Sequence, residues 1–427
     1  MWVAPFVLFL SWMASGAEAE TVVVDFATIK GMATHRASGF LHGISEDHPD
    51  DQFVRPLKPR LFRIHGSETP SMALLQRLKS YGAAIQYVVS DAYGYPGPTG
   101  RWPGDGGDWR QWEELVESLV READRKGLQL QWDIWNEPDS SQFWDRSAEQ
   151  FAEAWKRAVV IIRRLSSKAE IVGPSLANGP WHYLYGFLLA ARDENVLPDI
   201  VSWHDWSLDH PPDVSTVRQF MAAQGIAPRP ISINEFQGAK GKQQPGLLVW
   251  WLSHIEAEGP ESAAYSCWPD PAGYSDCDLP TLDGLLTRDG KPRAVWFIHQ
   301  AYADLSGKLV EVMTQDRSIA GLAGFDQSME TARLILGRRE VGTLSGVATV
   351  DVVFRNLDRF GGLSKSGSIF VRVECVPSSG TDPLENSSII ITEGNLPVKG
   401  NEVRVDLGEV EIGAACIVIL RRARDQD

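Results

Sequence analysis

Positive charge is in short supply in this sequence relative to negative charge. Its 41 Lys and Arg stand against 56 Asp and Glu, a formal net charge of -15. A chain this acidic repels the phosphates of nucleic acid and of an anionic membrane, so neither is expected as a partner. Long apolar runs are also missing. Only Trp2 to Met13 is almost wholly apolar, and it is too short to span a bilayer. Cysteine is sparse: Cys267, Cys277, Cys375 and Cys416 are the four copies, and no CxxC or Cys/His cluster of the kind that holds zinc occurs. No internal repeat, low-complexity tract or long linker interrupts the chain. What is present is an ordinary globular balance over 427 residues, enough for one large domain and a smaller one.

The N-terminus bears on location. After the apolar run, Ala17-Glu18-Ala19 places small residues at signal-peptidase spacing, with cleavage expected before Glu20. Residues 1–19 are therefore read as a signal peptide and the mature chain as secreted or periplasmic, although only the terminal amine makes the leader positive. An exported chain with an even cysteine count permits two disulfides. Cys267 and Cys277 flank a Pro/Gly-rich loop and form the favoured pair. Cys375 and Cys416 sit in strand-like runs and could pair across a sheet; four buried thiols are the alternative. Asn386-Ser387-Ser388 is an N-glycosylation sequon, meaningful only in a eukaryotic source.

From about Phe40 to Leu305, short β-branched apolar runs alternate with amphipathic stretches. Strands are expected at Phe40-Ile44, Arg60-Ile64, Ala84-Val89, Leu128-Ile134, Glu170-Val172, Asp199-Trp203, Pro230-Ile233 and Ala263-Ser266. The clearest helices are Ser71 to Tyr81, Trp109 to Lys126, Ser147 to Ser166 and Leu247 to Glu258, each with apolar residues at three-to-four spacing. Eight strands alternating with helices predict an α/β fold, a closed parallel (β/α)8 barrel over residues 37–307. Beyond about Lys308 helical periodicity disappears. Strand-like runs at Leu309-Met313, Ala332-Leu336, Ala348-Arg355, Ser368-Cys375, Ser388-Thr392, Glu402-Leu407 and Ala415-Leu420 predict an all-β sandwich over residues 308–427. Thr21 to Ala27, within residues 20–36, is also strand-like and could join that sandwich.

Two acidic residues end apolar strands. Trp132-Asp133-Ile134-Trp135-Asn136-Glu137-Pro138-Asp139 runs a strand into an Asn-Glu-Pro turn, and Pro138 is expected to stop the strand. Ile231-Ser232-Ile233-Asn234-Glu235-Phe236 delivers a second Glu. The two lie roughly 100 residues apart, about three βα units of about 30 residues each. In a barrel, strand C-termini form the reactive face, so Glu137 at strand four and Glu235 at strand seven would confront one another across its mouth. Such a pair cleaves glycosidic bonds. One carboxylic acid protonates the departing oxygen; the other attacks the anomeric carbon when the two are about 5 Å apart, or activates water at about 6.5–9.5 Å. The acid must be neutral at working pH, which burial and a neighbouring carboxylate provide.

With Phe143-Trp144 following it, the Asn136-Glu137 motif and Glu235 resemble clan A of the glycoside hydrolases, and family 39 in particular, a family of β-xylosidases, α-L-iduronidases and some endo-acting hydrolases. Gly284-Leu285-Leu286-Thr287 to Lys291-Pro292-Arg293 is similar to the loop before the last barrel helix of that family. The resemblance implies Glu137 as acid/base and Glu235 as nucleophile of a retaining O-glycoside hydrolase. It implies Asn136 on the sugar 2-hydroxyl, Arg63 beside the nucleophile, His204 near it and Trp268 as an aromatic platform. His65 and Trp206 are further substrate-binding candidates, with His42 and Asp205 able to approach the cleft. Of the 16 tryptophans, most serve packing; Trp102, Trp135, Trp181 and Trp206 are candidates for stacking on sugar rings. The loop from Asp91 to Asp108 is expected to overhang the site. No cofactor or metal is implied, and an oligosaccharide or polysaccharide is the expected partner. Endo-acting hydrolysis, transglycosylation and an inactive carbohydrate-binding protein are the alternatives.

Overall fold

The computed structural model describes residues 19–423 apart from 67–68, 178, 180–181, 209, 211–212, 270–272, 274, 344–345, 361–366 and 385–388. The signal-peptide reading (save Ala19), Trp181 and the Asn386 sequon lie outside the described residues. Strand β1 (Glu20–Met32) enters the C-terminal sheet. Eight strands then form a closed parallel barrel in chain order: β2 (Gly39–Leu41), β3 (Leu61–Ile64), β4 (Ala84–Val88), β5 (Gln131–Asp133), β6 (Glu170–Leu176), β7 (Ile200–Asp205), β8 (Ile231–Phe236) and β9 (Ser262–Tyr265). The ring closes where Gly39 and Phe40 pair with Ala264 and Tyr265.

The helices between them follow from local sequence. Helix Met72–Ser80 begins where the Ser71 hydroxyl accepts from Leu74 N, and helix Ala148–Leu165 where Ser147 accepts from Gln150 N. Helix Arg110–Arg125 buries Trp112, Val116, Leu119, Val120 and Ala123, the three-to-four spacing of one face. Helix Pro245–Glu258 starts with proline in its first turn and stops at Gly259 in a left-handed cap.

The remaining strands are β10 (Lys308–Met313), β11 (Ile319–Asp326), β12 (Thr331–Arg338), β13 (Val347–Arg355), β14 (Ser368–Val376), β15 (Ile389–Pro397), β16 (Glu402–Glu411) and β17 (Ala415–Arg422). With β1 they make one nine-stranded sheet, ordered β15-β14-β17-β12-β11-β10-β1-β13-β16. The sheet folds on itself as a sandwich: alternate residues of its strands, among them Val24, Leu334, Val352, Val371, Val405 and Val418, share one buried core. Strand β11 was not expected from the sequence. Its residues Ile-Ala-Gly-Leu-Ala-Gly-Phe-Asp show no alternation because both faces are covered, one by the sandwich core and the other by helix Pro245–Glu258.

That helix joins the two cores and is buried on nearly every side. Gly246 is where its backbone meets the sheet: its N–H donates to Gly413 O at 2.9 Å, and a Cβ there would sit 2.0 Å from Arg338 O and 2.7 Å from Ala414 O. Neither backbone oxygen can step aside cheaply. Gly246→Ala is therefore expected to destabilise the protein by on the order of 2–3 kcal/mol, read as a lower urea midpoint at unchanged slope; an unchanged midpoint would show that the interface yields.

Candidate active site

Arg63 lies on β3 inside the barrel, 1% exposed. A buried guanidinium must be paired, and here every arm is. Nε donates to Asp133 Oδ2 at 2.7 Å, Nη1 to Glu235 Oε1 at 2.8 Å and Nη2 to Asn136 Oδ1 at 2.9 Å. One side chain thus ties β3 to β5, to the turn after β5, and to β8. Asp133 is the anchor that sequence reasoning overlooked. It also accepts from Ser175 Oγ at 2.8 Å and Asn234 Nδ2 at 3.0 Å. A carboxylate inside an apolar strand was the available signal, since such a group persists only when fully bonded.

Strand β5 ends at Asp133, earlier than expected, so Pro138 does not stop it. Residues 134–137 continue as irregular backbone into a turn at Pro138 and Asp139, where Ser140 N donates to Glu137 O at 3.0 Å. Asn136 N donates to Ser90 Oγ and Glu137 N to Ser175 O, both at 2.9 Å. Glu137 takes a left-handed φ of 49°, uncommon for a residue with a side chain and held here by these bonds. His204, on β7 and fully buried, stands between the two glutamates. Its Nδ1 is 2.8 Å from Glu137 Oε1 and its Nε2 is 3.6 Å from Glu235 Oε1. One oxygen of each glutamate and one ring nitrogen of His204 all lie within 4.8 Å of one another, so the two carboxylates come within that distance.

Burial shapes the protonation of all three. It lifts Glu137 to about 7, against the nearby Arg63 charge. It also raises Glu235, opposed by His204 and by the bonded Arg63. His204 is driven down to about 4 by burial, opposed mainly by Glu235. Near neutral pH the imidazole is uncharged and Glu137 is poised to give up or take a proton.

These groups open into a cleft of about 900 Å³. Its lining brings together Arg63, His65, Asn136, Glu137, Trp206, Glu235, Cys267, Trp268 and Cys277 from the sequence-predicted set. Trp206 and Trp268 meet edge to face at 5.0 Å. Trp268 Nε1 donates to Ser266 Oγ at 2.9 Å and Gln237 O at 3.1 Å. Cys267 is bonded to Cys277, and Cys375 to Cys416 between the neighbouring strands β14 and β17. His42 also lines the cleft, its ring 3.8 Å from that of His65. From the predicted overhanging loop, Asp91 and Tyr95 reach the lining, hydrogen-bonded to each other. His42, His65 and Asp91 form a second group whose donor atoms lie within 4.8 Å, close enough to share a cation.

Three expectations need correction. Trp135 is fully buried and donates to Phe143 O, and Trp102 packs with it and Trp144 in an aromatic core, so neither offers a face to a sugar. Ring area that stabilises packing carries the same sequence signature as ring area that binds ligand. Asp205 is buried, accepts from Ser207 N and is not among the residues lining the cleft.

Residues 103–232 match the model for glycosyl hydrolases family 39, a stretch that holds Glu137 and stops just short of Glu235. A 3-O-beta-L-arabinopyranosyl-alpha-L-arabinofuranosidase of Bifidobacterium pseudocatenulatum is 25% identical over 76% of this chain and 39% of its own. The chain thus spans about two fifths of the length of that curated relative. A beta-xylosidase of Caldicellulosiruptor saccharolyticus is 23% identical over 49% of each chain. Among solved structures, N2152 from Neocallimastix frontalis superposes with a TM-score of 0.79 at 26% identity, covering 95% of this chain and all of its own. A monomeric beta-xylosidase from Caulobacter crescentus CB15 superposes at 0.67 with 15% identity over 95% of this chain and 100% of its own, a likeness of fold. By its matched segment and its architecture, the chain resembles glycosyl hydrolases family 39 within clan A.

Proposed function

We propose that this chain is a retaining O-glycoside hydrolase that works by double displacement, with Glu137 as acid/base and Glu235 as nucleophile. The observation that carries the reading is the approach of the two carboxylates to within 4.8 Å. That spacing suits direct attack on the anomeric carbon and falls short of the about 6.5–9.5 Å at which the second carboxylate activates a water instead. Arg63 supports it by favouring ionised Glu235. Asn136 spends its amide oxygen on Arg63, which leaves its amide N–H groups for a sugar hydroxyl. A proton on His204 Nδ1 would donate to Oε1 of Glu137 and leave Oε2 to carry the acidic proton into the cleft. Once the glycosyl ester forms, Glu235 loses its charge, Glu137 ionises more readily, and it can deprotonate the incoming water.

Residues 37–307 would carry this chemistry. Residues 308–427, with the strand from 20–36, would brace it. The two disulfides suit an extracytoplasmic site of action. Arabinosides and xylosides are the first substrates to try, given the names of the relatives. Hydrolysis of aryl glycosides of both sugars, followed by proton NMR of the first-formed anomer, tests the reading. Retention of configuration is expected, and inversion would sink it.

The two protonation states predict a bell-shaped pH dependence of kcat/KM. Glu137 must hold its proton, so the rate falls as pH rises through about 7. Glu235 must be ionised, so it also falls toward acid, with a limb above the ordinary glutamate range because burial raises that group. Glu137→Gln, assayed with an activated aryl glycoside, should lose the alkaline limb alone. An alkaline limb that survives the substitution would assign it to another group.

A further inference from the structure

Behind the cleft wall lies a buried charged cluster that the proposed chemistry does not use. Lys242, on the loop after β8, is 5% exposed, and its Nζ is 3.1 Å from Asp276 Oδ2. Its carbonyl accepts from Tyr265 Oη at 2.6 Å and from Gln237 Nε2 at 3.0 Å. Asp276 lies on the loop after β9, immediately before Cys277. Its N–H donates to Trp268 O at 3.1 Å, and Pro269 forms a bridge with Ser275. The fit around Asp276 is close: a Cβ at Gly284, which has a φ of +81°, would sit 2.2 Å from Oδ2.

We infer that Lys242 and Asp276 are positioning residues: together with the Cys267–Cys277 bond they clasp the loop that presents Trp268 to the cleft. The disulfide ties Cys267 to Cys277 but neither of them to the neighbouring loop after β8. The ion pair pins the Trp268 loop to that neighbouring loop, the same one whose Gln237 carbonyl receives the Trp268 indole N–H. Neither charged group lines the cleft, so both act on ligand only through the tryptophan. The cluster extends to the connection between β14 and β15: Arg293 Nη1 lies 3.9 Å from Asp276 Oδ1, and its Nε donates to Thr381 O at 2.9 Å.

The catalytic half of the test rests on the glycosidase reading; the other half does not. Lys242→Met alone strands a buried carboxylate and could prevent folding, so Asp276→Asn and the apolar double variant Lys242→Met/Asp276→Leu are also made. Reduction of each disulfide by dithiothreitol is followed by thiol trapping and mass spectrometry. Cys267–Cys277 should be reduced at least about ten-fold faster in the folded variants, with Cys375–Cys416 unchanged as the internal control. An unaltered rate for Cys267–Cys277 overturns the clasp, whatever the activity. With an aryl glycoside, KM should rise by about ten-fold while kcat changes by less than about three-fold. In a Trp268→Ala background the same substitutions should have no further effect on KM. Full additivity there would overturn action through Trp268. If the unaltered protein hydrolyses nothing, the glycosidase reading falls, and the reduction rates still decide the clasp.

Discussion

Glu235→Ala is expected to lower kcat by roughly 10⁴-fold or more on any glycoside the protein hydrolyses. The attacking oxygen is then missing, and among the described residues no other carboxylate lining the cleft is bonded to Arg63. Arg63 keeps its bonds to Asp133 and Asn136, so the pocket should hold its shape. The guanidinium nevertheless loses one of its partners in a buried site, and circular dichroism should accompany the rate. The shortened side chain leaves space beside the anomeric carbon, where azide can attack directly. The rescued product should be a glycosyl azide of inverted configuration, identified by proton NMR. A variant retaining more than about a tenth of the activity would remove Glu235 from the mechanism.

Glu137→Ala should behave differently because an acid is needed only as far as the leaving group is poor. With sugar or alkyl leaving groups, loss of the proton donor should cost about 10²–10⁴-fold in kcat/KM. With 2,4-dinitrophenolate, which departs unaided, kcat/KM should be nearly unchanged while kcat falls, because water no longer has a base in the second step. Azide needs no base. It should restore kcat and yield a glycosyl azide of retained configuration, since it attacks the ester on Glu235. The opposite stereochemistry of the two rescued products separates the roles. Equal losses on good and poor leaving groups would show that Glu137 does something other than move a proton.

Much of the architecture was legible in the sequence because it is written in local periodicity. Short β-branched apolar runs marked all eight barrel strands, and apolar spacing of three to four marked the four clearest helices between them. Runs ending in Asn136-Glu137 and Asn234-Glu235 placed both glutamates at strand ends, and a strand end of a parallel barrel has only one face on which to open. The signal failed where Ala and Gly dilute a strand, as at β11, or where one residue type serves two purposes, as with Trp102 and Trp135.

What the sequence alone determined is therefore the barrel with its following sheet and the pair of glutamates. Tertiary structure decided the rest. The site converges on Arg63, whose partners Asp133 and Glu235 stand 70 and 172 residues away in the chain. Nothing local records that distance. Only barrel closure sets the two carboxylates within 4.8 Å, puts His204 between them and removes the water that would otherwise keep Glu137 ionised at neutral pH. Periodicity is a property of neighbours along the chain, whereas spacing, burial and the protonation that follows from them arise only between strands brought together by folding.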